Sequence, residues 1–304
     1  MIAAVRHRAA QAAVLTAAVV LAGCSPAPTP SPIPTPTRVP LPTPVTTTYA
    51  VGVTAWYAGL VLHIGSATSI LDPGGGSVAV DLTIENPGEA FSSLTAPIAL
   101  VAGERRVEPA HGTVIPDVPA GASALSTIQF DVDAAFEVTK SAIRIGRQAE
   151  HEVVVPLVPG DESLVTLEPI ALTLDASGVA GLLAVTLTGG ELRADLPDWG
   201  LEMARDTLAL TLTYTARYRG DFSGGFAFTG ANVKLRLPDG TTIAARADGH
   251  SQSVAVLAPG VTSPSLIARF DVPVPGTGDY ALEITDGSTN RAIPFTIEAA
   301  ASGG

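Results

Sequence analysis

The chain of 304 residues has one cysteine, two lysines and only 5% aromatic residues. A single cysteine excludes an internal disulfide framework, so any folded part rests on its apolar core alone. The two lysines, Lys140 and Lys234, and a formal net charge of −12 leave no basic stripe. Nucleic acid and anionic lipid headgroups are therefore not expected as partners. No apolar run reaches the ~20 residues that a membrane-spanning helix needs. Outside the first 23 residues, no window of eleven or more carries a helical hydrophobic period.

Signatures of chemistry are equally scarce. The chain has no Gly-x-Ser-x-Gly, and Gly74-Gly75-Gly76 is not followed by Lys-Ser/Thr, so it reads as a turn and not a phosphate cradle. His63, His111, His151 and His250 are too far apart for a local metal pair. Asp72, Asp239, Asp279 and Asp286 lie in Gly-rich turns but match no calcium loop. Asp131 and Asp133 share one face of an alternating strand, as solvated acids commonly do. The expectation is a protein with no enzymatic activity, cofactor or metal.

What the chain does have begins at its N-terminus. Arg6, His7 and Arg8 precede an apolar, small-residue stretch from Ala9 to Val20, which leads into Leu21-Ala22-Gly23-Cys24. This is the anatomy of a secretory signal peptide over residues 1–23. The junction resembles the bacterial lipobox, which implies cleavage between Gly23 and Cys24 and lipidation of the Cys24 sulfur. Two or more acyl chains hold a protein stably on a membrane, because each buried methylene contributes about 0.8 kcal/mol. The expected location is extracytoplasmic, at the cell surface, anchored by lipid in the cell membrane or an outer membrane. Once Arg6 and Arg8 leave with the leader, the formal charge becomes −14.

From Cys24 to Thr48 the chain is nearly all Pro, Thr and Ser, with proline at every second position from 26 to 36 and again at 40, 42 and 44. Such a segment stays extended, at roughly 3.1 Å per residue, and cannot build a core. It reads as a semi-rigid tether, with a proline-rich ligand for another domain as the other use.

The remaining ~250 residues are enough for two ordinary domains. Apolar-alternating runs separated by turn residues predict strands throughout. The clearest is Val78–Glu85, with Val78, Val80, Leu82 and Ile84 on one face, closed by Asn86-Pro87-Gly88. The fold expected is all-β: two tandem antiparallel immunoglobulin-like β-sandwiches over residues 49–159 and 160–299, with a short tail at 300–304. A duplication is indicated. Ser77–Thr83 matches Thr207–Thr213, Phe91-Ser92 matches Phe222-Ser223, and Gln129–Val132 matches Arg269–Val272, in the same order. Residues 164–174 could belong to a strand of either copy.

The anchor, the tether and the strand and turn "VAVDLTIENPG" together resemble bacterial surface lipoproteins with telokin-like, immunoglobulin-fold domains. The resemblance implies an extracytoplasmic sandwich with no catalytic residues to transfer. Residues 217–228 are the most aromatic stretch, with Arg217, Tyr218, Arg219, Phe222, Phe226 and Phe228. If this stretch is exposed, Tyr218, Arg219, Phe226 and Phe228 are candidate contacts for a partner or a sugar. If it is not, Phe222 belongs to the core with its match Phe91, and Phe226 and Phe228 form one buried strand face. The leading expectation is an interaction or structural module engaging an envelope protein or wall component. The alternative is a polysaccharide- or small-solute-binding lipoprotein.

Overall fold

A computed structural model describes residues 42–160, 163–249, 251 and 254–298. The residues read as a signal peptide, Gly23, Cys24, most of the stretch read as a tether, His250 and the 300–304 tail lie outside them. Eight strands enclose the first core: β1 (Val45–Tyr57), β2 (Leu60–Asp72), β3 (Gly75–Glu85), β4 (Ile98–Ala102), β5 (Arg105–Val107), β6 (Ser123–Asp133), β7 (Ala142–Ile145) and β8 (Val153–Pro156). They form two antiparallel sheets, in the orders β1-β2-β3-β6 and β5-β4-β7-β8. Alternation along β3 and β6 points Val80, Leu82, Ile128 and Phe130 inward, onto Leu100, Ile143 and Val155 of the other sheet.

β1 begins within the stretch read as tether. Once the prolines end at Pro44, Val45-Thr46-Thr47-Thr48 is β-branched and able to pair, and it does so with Thr68–Leu71.

A second core follows: β9 (Ile170–Leu172), β10 (Ala176–Ala180), β11 (Leu183–Arg193), β12 (Asp195–Leu196), β13 (Leu201–Glu202), β14 (Thr207–Tyr218), β15 (Phe226–Thr229), β16 (Val233–Arg236), β17 (Thr242–Ala244), β18 (Val254–Leu257), β19 (Leu266–Pro273), β20 (Gly278–Thr285) and β21 (Asn290–Ile297). Its main sheets have the orders β10-β11-β14-β19 and β17-β16-β20-β21, the same relative chain order as in the first core. Two small hairpins are added, β12–β13 and β15–β18. Leu187, Leu212, Tyr214 and Phe270 meet Leu235, Leu282 and Ile293 inside. Among the described residues there is no α-helix, only three short 3₁₀ turns. The fold is all-β, built of antiparallel sheets packed as sandwiches and compatible with an immunoglobulin-like fold.

Pairing registers refine the match between the halves. Val78 lies opposite Phe130, and Leu210 lies opposite Phe270. Aligning the two phenylalanines therefore equates Val78 with Leu210, two residues from the Leu208 that sequence matching selected. A two-residue slide leaves every side chain on its original face, so alternation alone cannot detect it. In this register Asn86 corresponds to Tyr218, and the two play the same main-chain part. Asn86 O accepts from Gly121 N at 3.0 Å and Tyr218 O from Gly260 N at 2.9 Å.

Segment 164–174 is divided between the halves. Val165 bridges Val154, Thr166 O accepts from Trp56 N, and Leu167 packs on the first core, while Ile170–Leu172 pairs with β11. β11 also continues through Gly189-Gly190, with a bulge between Leu187 and Gly189 where its register against β14 shifts. A Cβ on Gly190 would sit 2.7 Å from Thr211 O, so only glycine lets β14 approach there.

Candidate interaction surface

The two halves meet head to tail. The β1–β2 turn is Ala58-Gly59, with φ of 51° and 84°, the left-handed pair that a tight two-residue hairpin requires. Its two amides point at carboxylates of the β12–β13 hairpin. Ala58 N donates to Glu202 Oε2 at 2.9 Å, and Gly59 N donates to Asp195 Oδ2 at 2.6 Å. A Cβ on Gly59 would lie 2.7 Å from Pro197 Cα, so the turn is seated directly on the second half. Around it, Tyr57 OH donates to Glu150 Oε2, His151 N donates to Met203 O, and His151 Nε2 lies 2.8 Å from Thr207 O. Leu196, Met203 and Ala209 form a small apolar cluster behind the contact.

Burial sets the charge states here. Asp195 is 4% exposed, yet Arg193 grips both its oxygens, at 2.6 and 3.1 Å. Glu202 has no such cation. Burial pushes its carboxyl up to about 9, the Asp195 and Glu150 charges add to the rise, and the Ala58 N–H and Arg193 oppose it. Burial, followed by the hydrogen bond to Glu150, holds the Tyr57 hydroxyl well above its ordinary range.

Among the described residues, nothing covers the corresponding end of the second core. β14 runs from Thr207, at the junction, to Tyr218 at the far end, a distance of roughly 40 Å at 3.3–3.4 Å per residue. The turn equivalent to Ala58-Gly59 is Gly181-Leu182. Here Leu182 N donates at 3.1 Å to Asp286 of the same half, whose carboxylate is held below its usual range by the Ser288, Thr289 and Leu182 amides. Leu182, Phe222, Val256 and Val261 are all exposed at this end, Phe222 by 65% and Val256 by 70%. Arg217 and Arg219 alternate with the inward Tyr218, and neither has an ion-pair partner among the described residues. Between β18 and residues 261–266 runs a hollow of about 310 Å³, lined by Val256, Leu257, Val261, Pro264 and Leu266.

Of the contacts suggested by sequence, only Arg219 is exposed. Tyr218 is buried, Phe228 is 0% exposed, and Phe226 is half-buried, stacked on Tyr218 at 5.9 Å between ring centroids. Phe226 and Phe228 sit two apart on β15 and both turn inward, so no coplanar aromatic platform faces solvent. Phe222, expected in the core beside Phe91, is on the surface; Phe91 is too, at 63% exposed. Val256 escaped the sequence reading because β18 is a four-residue apolar run that looks like any buried strand, and Val261 because it lies in the loop that follows.

Asp72 and Asp239 close their own turns, whereas Asp279 lies on β20 and bonds across to β21. Asp72 accepts from Gly74 N, Asp239 from Thr241 N and Asp279 from Thr296 Oγ1. His63 pairs with Thr54 and Glu85 across the solvated face of the β1-β2-β3-β6 sheet. Among the described residues, no three His, Cys, Asp or Glu side chains are arranged to hold a metal. No protein-family model matches the chain, and no curated protein matches it.

Proposed function

We propose that this chain is a lipid-anchored, extracytoplasmic interaction module that presents the far end of its second core to an envelope protein or wall component. It performs no catalysis in this reading. One observation carries it. The end of the sandwich that the first half buries against Glu202 and Asp195 is, in the second half, left open and furnished with Phe222, Val256, Val261, Arg217 and Arg219. Exposed aromatic and arginine side chains beside an apolar hollow are the residue types that dominate protein contacts. Arg217 and Arg219 put exposed positive charge on this end of a strongly acidic chain and favour a partner carrying carboxylates. The repeated sheet order supports a tandem duplication of one sandwich. Leu21-Ala22-Gly23-Cys24 and the Pro/Thr segment support lipid anchoring through Cys24 behind a tether, as in the surface lipoproteins the chain resembles.

The test has two arms on the full chain in a bacterial host. An alkyne-tagged fatty acid should label the wild type and not Cys24→Ala. Labelling that survives Cys24→Ala would remove the anchor. Isolated envelopes should retain the detergent-solubilised wild type, and Phe222→Ala/Val256→Ser should weaken retention at least tenfold while leaving thermal unfolding unchanged. Equal retention would remove the proposed surface. Retention transferred to protein-free wall polymer would favour the polysaccharide reading instead.

A further inference from the structure

The junction between the halves holds a carboxyl group for which the interaction reading has no use. Four carboxylates converge there: Asp195 on β12, Glu202 on β13, Glu191 on β11 and Glu150 in the loop before β8. Two cations serve them. Arg193 is committed to Asp195 and, at 3.1 Å, to Glu191. Arg147 reaches only Glu150, at 3.4 Å. Glu202 is left with one donor, the Ala58 N–H on Oε2, while its Oε1 is enclosed with no hydrogen-bond partner. The other titratable groups on the interface are Tyr57, which donates to Glu150, and His151, which lies against Thr207 O. Arg205 and Arg144 face Glu152 at its rim.

We infer that the junction is a proton-held clamp: Glu202 keeps its proton while the β1–β2 turn is docked, and loss of that proton frees the turn from β12–β13. A fourth negative charge in this pocket would face Asp195 and Glu150 with no cation of its own, and an enclosed oxygen cannot take its solvation from water. Burial first, with the Asp195 and Glu150 charges adding to it, pushes the docked carboxyl up to about 9. When the turn lifts away, the carboxyl is solvated, returns toward 4.5 and ionises. Undocking therefore releases a proton, so a higher pH favours the open junction. The clamp would regulate how firmly the far end of the second core is held relative to the first.

The experiment uses the full chain in detergent. The ¹³C shift of the Glu202 carboxyl should report a protonated group at pH 7 that ionises near pH 9; an ionised group at pH 7 overturns the inference. Hydrogen exchange at the Ala58 and Gly59 amides, corrected for intrinsic rates, supplies the second readout. In the wild type, protection should fall up to about tenfold per pH unit between pH 6 and 8. Glu202→Gln keeps an oxygen for Ala58 N–H but has no proton to lose, so its protection should stay flat, with His151 common to both proteins. Parallel profiles in the two proteins overturn the clamp and leave only a structural contact. If Glu202→Gln does not fold, the carboxyl titration decides alone.

Discussion

The amide of Gly59 donates to Asp195 Oδ2 across 2.6 Å, joining residues 136 apart in sequence and belonging to different cores. The same carboxylate is gripped by Arg193, so one buried side chain fixes both the turn of the first half and the hairpin of the second. Removing it strands a buried guanidinium and a buried amide together. Asp195→Ala should lower unfolding stability by about 3–5 kcal/mol. Gly59→Ala combines a left-handed φ with a methyl 2.7 Å from Pro197 Cα, and should cost about 2–3 kcal/mol. Because both act on one contact, the double variant should lose less than the sum. Denaturant titration measures all three, and strict additivity would contradict a shared contact.

Four phenylalanines separate core from surface. Phe130 and Phe270 are 0% exposed and oppose equivalent strand positions, so either one changed to alanine should cost about 3–5 kcal/mol. Phe91 and Phe222 occupy matching loops and are open to solvent, so their alanine variants should stay within about 0.5 kcal/mol of wild type. Thermal unfolding of the four variants reads this directly.

Much of the fold was legible because period-two alternation was clean. Val78, Val80, Leu82 and Ile84 announced both a strand and its buried face. The loop from Arg219 to Gly225 was not legible, since a matched pair such as Phe91 and Phe222 indicates equivalence and not burial. The junction was hidden for another reason. Asp195, Glu202 and Glu150 look like ordinary surface acids until the β1–β2 turn is brought onto them from more than 90 residues away. No local pattern encodes that approach.

Asn86 shows how one motif residue works. Its Nδ2 donates to Ala90 O and Val118 O at 2.8 and 2.9 Å, and its Oδ1 accepts from Gly88 N. At 2% exposure it closes the Asn-Pro-Gly turn from inside. Asn86→Ala leaves those partners unsatisfied and should cost about 2 kcal/mol. Asn86→Asp, which keeps the shape but loses both donors, should not restore stability. A stable Asp variant in chemical denaturation would assign the effect to shape.

Tyr214 makes the opposite case. Its ring fills the second core beside Phe228, and its buried hydroxyl has no hydrogen-bond partner among the described residues. Burial raises its pKa for the same reason. Tyr214→Phe removes a desolvated polar group without opening a cavity. It should be neutral or stabilising by about 1 kcal/mol, read from the unfolding midpoint.

Glu202 also gives whole-protein stability a pH dependence of fixed sign. Its folded value of about 9 lies above its ordinary 4.5, so its stabilising contribution is full below about pH 4.5 and declines as pH rises toward 9. The stability of wild type minus that of Glu202→Gln should therefore fall steadily between pH 5 and 9. A difference that is flat or rising over that range contradicts the assignment.

The central claim is that the far end of the second core meets a partner, and matched cross-linking positions test it most directly. A photo-reactive phenylalanine analogue would replace Phe222 in one full-length protein and Phe91 in another, and both would be illuminated in living cells. The two sites are equally exposed and structurally matched, but only Phe222 lies at the open end. The account predicts a discrete adduct from position 222 that disappears when Arg217 and Arg219 are changed to glutamine, with none from position 91. Adducts from position 91 alone, or adducts at 222 indifferent to the two arginines, would contradict it.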